Sequence, residues 1–187
     1  MEAPTYLPLL NAIAVNEGKS EQLLGAWADT TSDERLKAAL RFVAIREGEH
    51  AWAFTKRMCE LGHAVNEDTA YQFFKDFNGL LACVRSGASD AEKIARLREN
   101  DNGRKRDAQG KQRDPFAGFF NDTTIDPATG ALLGRYIAEE RDSTRRLEAE
   151  YDRICGTGAG SRQEIESLKA CIAELRAELD ALKDGRC

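Results

Sequence analysis

Apolar residues recur at intervals of three and four along most of the chain, which is the spacing of helices rather than of strands. The predicted helices cover residues 4–29, 31–61, 67–85, 89–99, 127–154 and 161–187. Helix-start signals mark four of them, namely Thr31 with Glu34, Ser89 with Glu92, Asp126 with Pro127, and Ser161 with Glu164. The pattern therefore predicts an all-α fold.

The last predicted helix carries the most regular apolar pattern of the chain. Its seam alternates in steps of three and four through Ile165, Leu168, Ile172, Leu175, Leu179 and Leu182. Isoleucine at the first two a positions with leucine at every d position favours a parallel two-stranded coiled coil. The preceding residues 156–160 form a glycine-rich, flexible linker, which also permits this helix to fold back onto its own chain.

These patterns divide the chain into three regions. Residues 1–155 are expected to form a helical bundle, 156–160 the linker, and 161–187 the C-terminal coiled-coil helix. Within the first region, the polar stretch 103–113 is rich in lysine and arginine and reads as a surface loop. The sequence does not decide whether this basic loop binds a partner.

Composition narrows the class of protein. The chain has 187 residues, of which 42% are hydrophobic and 32% charged. This balance excludes a chain that is disordered over its whole length. A net charge of −5 argues against nucleic acid as the main partner. No apolar stretch is long enough to span a membrane and the first residues do not resemble a signal peptide, so a cytoplasmic protein is expected. The five cysteines form no CxxC pair, which excludes a zinc ribbon and a rubredoxin-type iron centre.

Ionisable residues occupy positions in three helical stripes where apolar residues belong. Glu17 lies on the stripe of the first helix, Glu47 and His50 on that of the second, and Glu140 on that of the helix over 127–154. A single glutamate can reach water from the edge of a stripe, but a carboxylate within the core is costly unless it is paired or bound to a cation. Several carboxylates with one imidazole suit iron or manganese.

This layout resembles the ferritin-like superfamily, in particular its rubrerythrin-like and bacterioferritin-like di-iron bundles. That family places a glutamate on helix one and Glu-x-x-His on helix two, and Glu17, Glu47 and His50 match in type and spacing. A second Glu-x-x-His belongs on helix four, where Glu140 is followed by Ser143 instead of histidine. Helix three offers no convincing glutamate, since Glu92 is explained by its capping pair. The resemblance covers about residues 5–155.

The resemblance implies a four-helix bundle that binds iron or manganese through Glu17, Glu47, His50 and Glu140, with oxidase or peroxidase activity. Four ligands can hold one ion, or two with added waters. Asp142 or Glu139 could supply a further ligand, but both lie off the stripe. The alternative is a non-catalytic ferritin-like scaffold that dimerises and binds a protein partner through its coiled coil. Either interpretation predicts a homodimer.

Overall fold

The computed structural model describes residues 4–101 and 122–156, and these residues form helices without any strand. The helices in that part of the chain are α1 (Leu7–Thr30), α2 (Glu34–Glu60), α3 (Phe77–Arg85), α4 (Asp90–Asp101) and α5 (Pro127–Cys155). The all-α expectation is therefore confirmed for these residues. The four-helix bundle with a coiled-coil helix remains a prediction.

The chain divides into two compact units, Met1–Glu150 and Tyr151–Cys187. The second unit begins inside α5, which ends at Cys155 and is followed by Gly156 with a φ of 65°. The coiled-coil seam and the basic loop 103–113 lie outside the described residues. The predicted region boundaries after residues 155 and 160 therefore stay predictions.

The first two helices form an antiparallel pair joined by three residues. Gly18 faces Ala51 and, further along, Asp29 pairs with Arg41, so residue numbers rise on one helix as they fall on the other. The α2 start differs from the predicted capping box at Thr31. Its N-cap is Asp33, whose carboxylate accepts hydrogen bonds from the first free amides of the helix.

The third helix is shorter than predicted, because residues 67–76 do not join it. The reason lies in two asparagines of α1 that bind the backbone of this stretch. Asn16 is fully buried, its amide donates to the Tyr71 carbonyl oxygen, and its own oxygen accepts from the Phe73 amide. Asn11 exchanges two such bonds with Asn66. The backbone groups are thereby satisfied without a helical ladder.

Two of the predicted helix starts are confirmed. The Ser89 hydroxyl accepts from the Glu92 amide while the Glu92 carboxylate accepts from the Ser89 amide, which is a complete capping box for α4. Next to it, the Trp27 indole donates to Asp90 at 2.7 Å and ties α4 to α1. Asp126 caps α5 by accepting from the Thr129 amide at 3.0 Å.

The hydrophobic core that surrounds the candidate site is built by α1, α2 and α5. Its fully buried members include Leu10, Ile13 and Phe54, with Met58, Leu133, Tyr136 and Ile137 packed around them. Each large apolar side chain buried in this way contributes about 1.5–3 kcal/mol. In the part of the chain that the structure describes, no helix is both long and apolar enough to cross a lipid bilayer.

Candidate metal centre

Four ionisable side chains interrupt this apolar core at one place. Glu17 comes from α1, Glu47 and His50 from adjacent turns of α2, and Glu140 from α5. Glu17, Glu47 and His50 are 3%, 5% and 3% exposed. One ligand atom from each of the four residues lies within 4.8 Å of the other three. The structure thus brings together all four residues that the sequence singled out, and the group could hold a metal ion.

Three atoms in this group point at one another without a hydrogen bond. His50 Nδ1 lies 3.4 Å from Glu140 Oε1 and 3.6 Å from Glu17 Oε2. All three atoms are buried, and none has a hydrogen-bonding partner of acceptable geometry. Buried polar atoms left in this way are costly. A cation among them would satisfy all three at once.

The outer atoms of Glu17 and His50 are, in contrast, well bonded. The Tyr136 hydroxyl donates to Glu17 Oε1 at 2.7 Å, and its ring packs edge-on against His50 with centroids 4.9 Å apart. On the other edge of the imidazole, Nε2 lies 2.8 Å from Glu139 Oε2. The second oxygen of Glu139 accepts from Arg135 Nε at 3.0 Å. The side chains of Glu17 and His50 are therefore each fixed by a partner on the side that faces away from the group.

Tyr136 and Glu139 were not among the predicted site residues. Tyr136 could have been found, since it lies four residues before Glu140 and therefore on the same helical face. Glu139 lies off the stripe, as expected, but it meets the far edge of the His50 ring. Only the packing of α5 against α2 places it there.

Burial governs the protonation of the group. Burial, followed by the nearby carboxyl groups of Glu17 and Glu140, raises the pKa of Glu47 to about 12. Burial also raises the pKa of Glu140. It acts in the opposite direction on His50, but the surrounding carboxylates outweigh it and raise the pKa of the imidazole to about 10. In the absence of a metal ion, these surroundings favour the protonated forms of Glu47, Glu140 and His50.

The pKa of Glu139 is lowered, in contrast to that of Glu140. Burial favours the neutral acid, but hydrogen bonds from His50 and Arg135 outweigh burial and hold the carboxyl group below its usual pKa. An ionised carboxylate can only accept hydrogen bonds. A proton on His50 Nε2 would complete the 2.8 Å contact with Glu139 as a hydrogen bond.

Arg46 fills the space beside Ser143, the position at which the ferritin-like pattern has its second histidine. Its Nη1 donates to Ser143 Oγ at 3.2 Å and to the Glu139 carbonyl oxygen at 3.1 Å, and it pairs with Asp142 at 2.9 Å. Asp142 is thereby engaged away from the group. α3 contains no glutamate that could act as a ligand. Glu92 forms its capping box with Ser89 instead.

A cleft of about 550 Å³ between α2 and α5 reaches the outer side of the centre. His50, Tyr136 and Glu139 line it from inside, and Trp52, 77% exposed, lines it at the surface. Apolar and charged side chains form the remaining wall, among them Ile45, Leu132, Glu21, Glu49 and Arg135. The cleft would allow a small molecule to approach the imidazole from solvent.

Comparisons with known proteins do not extend this picture, since neither protein-family models nor curated proteins nor solved structures gave a match to the chain. The functional interpretation therefore depends on the geometry of the centre itself.

Proposed function

We propose that this chain binds one divalent metal ion, iron or manganese, through Glu17, Glu47, His50 and Glu140. The observation that carries the proposal is the convergence of three buried and unbonded polar atoms, His50 Nδ1, Glu17 Oε2 and Glu140 Oε1. Folding leaves such atoms unsatisfied only at a cost, which a bound cation removes.

The size of the group is compatible with a single ion. Ligand atoms bound to a common ion at about 2.0–2.4 Å can be no further apart than about twice that length. The four candidate atoms lie within 4.8 Å of one another, which is that limit. The Arg46 guanidinium, bonded to Ser143 and Asp142, adds a fixed positive charge nearby that disfavours a second cation.

The donor set supports the choice of metal. Three carboxylates and one imidazole are hard and intermediate ligands, and the described residues near the centre bring no thiolate. Such oxygen-rich sites suit manganese and iron better than metals that prefer sulfur. Zinc also binds sites of this kind, so affinity alone will not identify the natural metal.

We further propose that the centre belongs to a ferritin-like four-helix bundle with oxidase or peroxidase activity. A bound iron or manganese ion would supply the activation of dioxygen or peroxide. The chain would hold the ligands in place, with Tyr136 fixing Glu17 and the cleft admitting a small substrate beside His50.

The proposal is tested by metal content and by calorimetric titration with Mn²⁺ and, without oxygen, Fe²⁺. We expect one equivalent per chain in the wild type and none in Glu47→Ala/His50→Ala, with nearly unchanged helix content. Glu60→Ala/His63→Ala is the matched control, because Glu60 and His63 form a second Glu-x-x-His pair outside the centre. Less than about a tenth of an equivalent in the wild type would refute the proposal, as would metal retained by the first double variant.

A further inference from the structure

The two nitrogens of the His50 ring lie in different surroundings. Nδ1 faces Glu17 and Glu140 inside the centre, while Nε2 contacts Glu139 at 2.8 Å on the side of the cleft. The adjacent residues Glu139 and Glu140 thus hold opposite edges of one imidazole. They have different environments, because the Glu139 carboxylate is also bound by Arg135 whereas Glu140 Oε1 has no hydrogen bond.

We propose that Glu139 is a positioning residue for the metal: it accepts the Nε2 proton, so that Nδ1 is the nitrogen that binds the ion. This inference rests on the metal site proposed above and adds a fifth residue that does not itself touch the ion. A neutral imidazole has one donor and one acceptor nitrogen. A carboxylate on Nε2 therefore leaves the lone pair on Nδ1, and it also fixes the rotation of the ring.

Arg135 completes the arrangement from the surface. Its Nε holds Glu139 Oε1 at 3.0 Å while Glu139 Oε2 faces the ring, so each oxygen of the carboxylate has one partner. The Glu139 side chain is 27% exposed and that of Arg135 64% exposed. An exposed i,i+4 ion pair alone stabilises a helix little. The Glu139–Arg135 pair should therefore matter more for the orientation of the His50 ring than for the free energy of unfolding.

The first test is the nitrogen that binds the metal, read by two-dimensional ¹H–¹⁵N correlation through the imidazole carbons. The chain has two histidines, so His63→Gln assigns the spectrum. The probe is Zn²⁺, which is diamagnetic and binds nitrogen and oxygen ligands at least as well as iron or manganese. We expect a metal-bound Nδ1 and a protonated Nε2 in His50. Zn²⁺ on Nε2 would overturn the inference.

The second test is affinity for Mn²⁺ and Zn²⁺ in variants of Glu139. Glu139→Ala should weaken binding about 10- to 100-fold, as loss of a carboxylate behind a metal-binding histidine typically does. Glu139→Gln keeps an acceptor for the Nε2 proton, so it should retain the wild-type nitrogen pattern with a smaller loss of affinity. Glu148→Ala is the matched control, since Glu148 of α5 also forms a surface ion pair, with Arg98 of α4.

The outcomes separate the two proposals. If the wild type binds the ions but Glu139→Ala has the same affinity and the same His50 spectrum, Glu139 does not position the ring and the metal site stands. If the wild type binds none of these ions, both fall. Should Glu139→Ala fail to fold, which circular dichroism will show, Glu139→Gln decides: an affinity as low as that of Glu47→Ala/His50→Ala would contradict a positioning role.

Discussion

Replacing Glu47 with methionine should stabilise the metal-free protein and abolish its response to metal. Glu47 is 5% exposed, and its pKa is raised to about 12. We therefore expect its carboxyl group to be neutral in the folded protein when no cation is present. Burying a carboxyl group among other carboxyl groups, with no bound cation to compensate, costs about 1–3 kcal/mol. Methionine has a similar length and no such cost, so Glu47→Met should raise the free energy of unfolding by about that amount.

Metal should reverse this order. A ligand at 100 times its dissociation constant stabilises the folded state by about 2.7 kcal/mol, which for a domain of this size is about 5–11 °C in melting temperature. The wild type should gain this amount from Mn²⁺, and Glu47→Met should gain nothing. In EDTA, Glu47→Met should be more stable than the wild type. In saturating Mn²⁺, it should be equally stable or less stable than the wild type.

The assay is urea unfolding followed by circular dichroism, in EDTA and at two Mn²⁺ concentrations. Glu49→Met is the control, because Glu49 is exposed on the same helix and its change should alter stability by less than about 0.5 kcal/mol. The reasoning fails if Glu47→Met is destabilised in EDTA by more than about 1 kcal/mol. It fails equally if Mn²⁺ still stabilises the variant.

Two further predictions concern other parts of the chain. Hydrogen bonds from the Thr129 hydroxyl and amide, and then from Tyr6 and Arg57, hold the pKa of Asp126 well below its usual range; the stability it provides is therefore present above about pH 4 and lost as the pH falls further. Asp126→Ala should cost about 1–2 kcal/mol at pH 7 and less at pH 2.5, and an equal loss at both would contradict the assignment. Leu175→Asp places a charge at a central d position of the predicted coiled coil and should convert a dimer into a monomer in sedimentation velocity; identical masses would show that this helix does not hold the dimer.

The helices and the four-residue group were accessible from sequence because both depend on spacing within a helix. Glu17, Glu47, His50 and Glu140 each sit on an apolar stripe, and stripes on neighbouring helices must face one another to be buried. The spacing along each helix therefore predicted that these four side chains would meet in the core.

The parts that sequence reasoning missed depend on contacts between elements. Residues 67–76 have helical spacing, but the buried Asn16 on α1 binds their backbone and competes with helix formation. The N-cap is Asp33 rather than Thr31, whose hydroxyl donates to Asp90 of α4 and accepts from the Asp33 amide. Glu139 met His50 through the rotation of α5, which residue spacing within α5 does not specify.

The two tryptophans give intrinsic fluorescence from two different parts of the protein. Trp27 is 1% exposed and bonded to Asp90, while Trp52 is 77% exposed and lies two residues beyond His50 at the cleft. Their emission should separate into a blue component that survives iodide and a red component that iodide removes. The blue component will report unfolding, and the red component will report events at the cleft, including paramagnetic quenching by a bound ion. A single fluorescence titration can thus distinguish metal binding from loss of structure without a label.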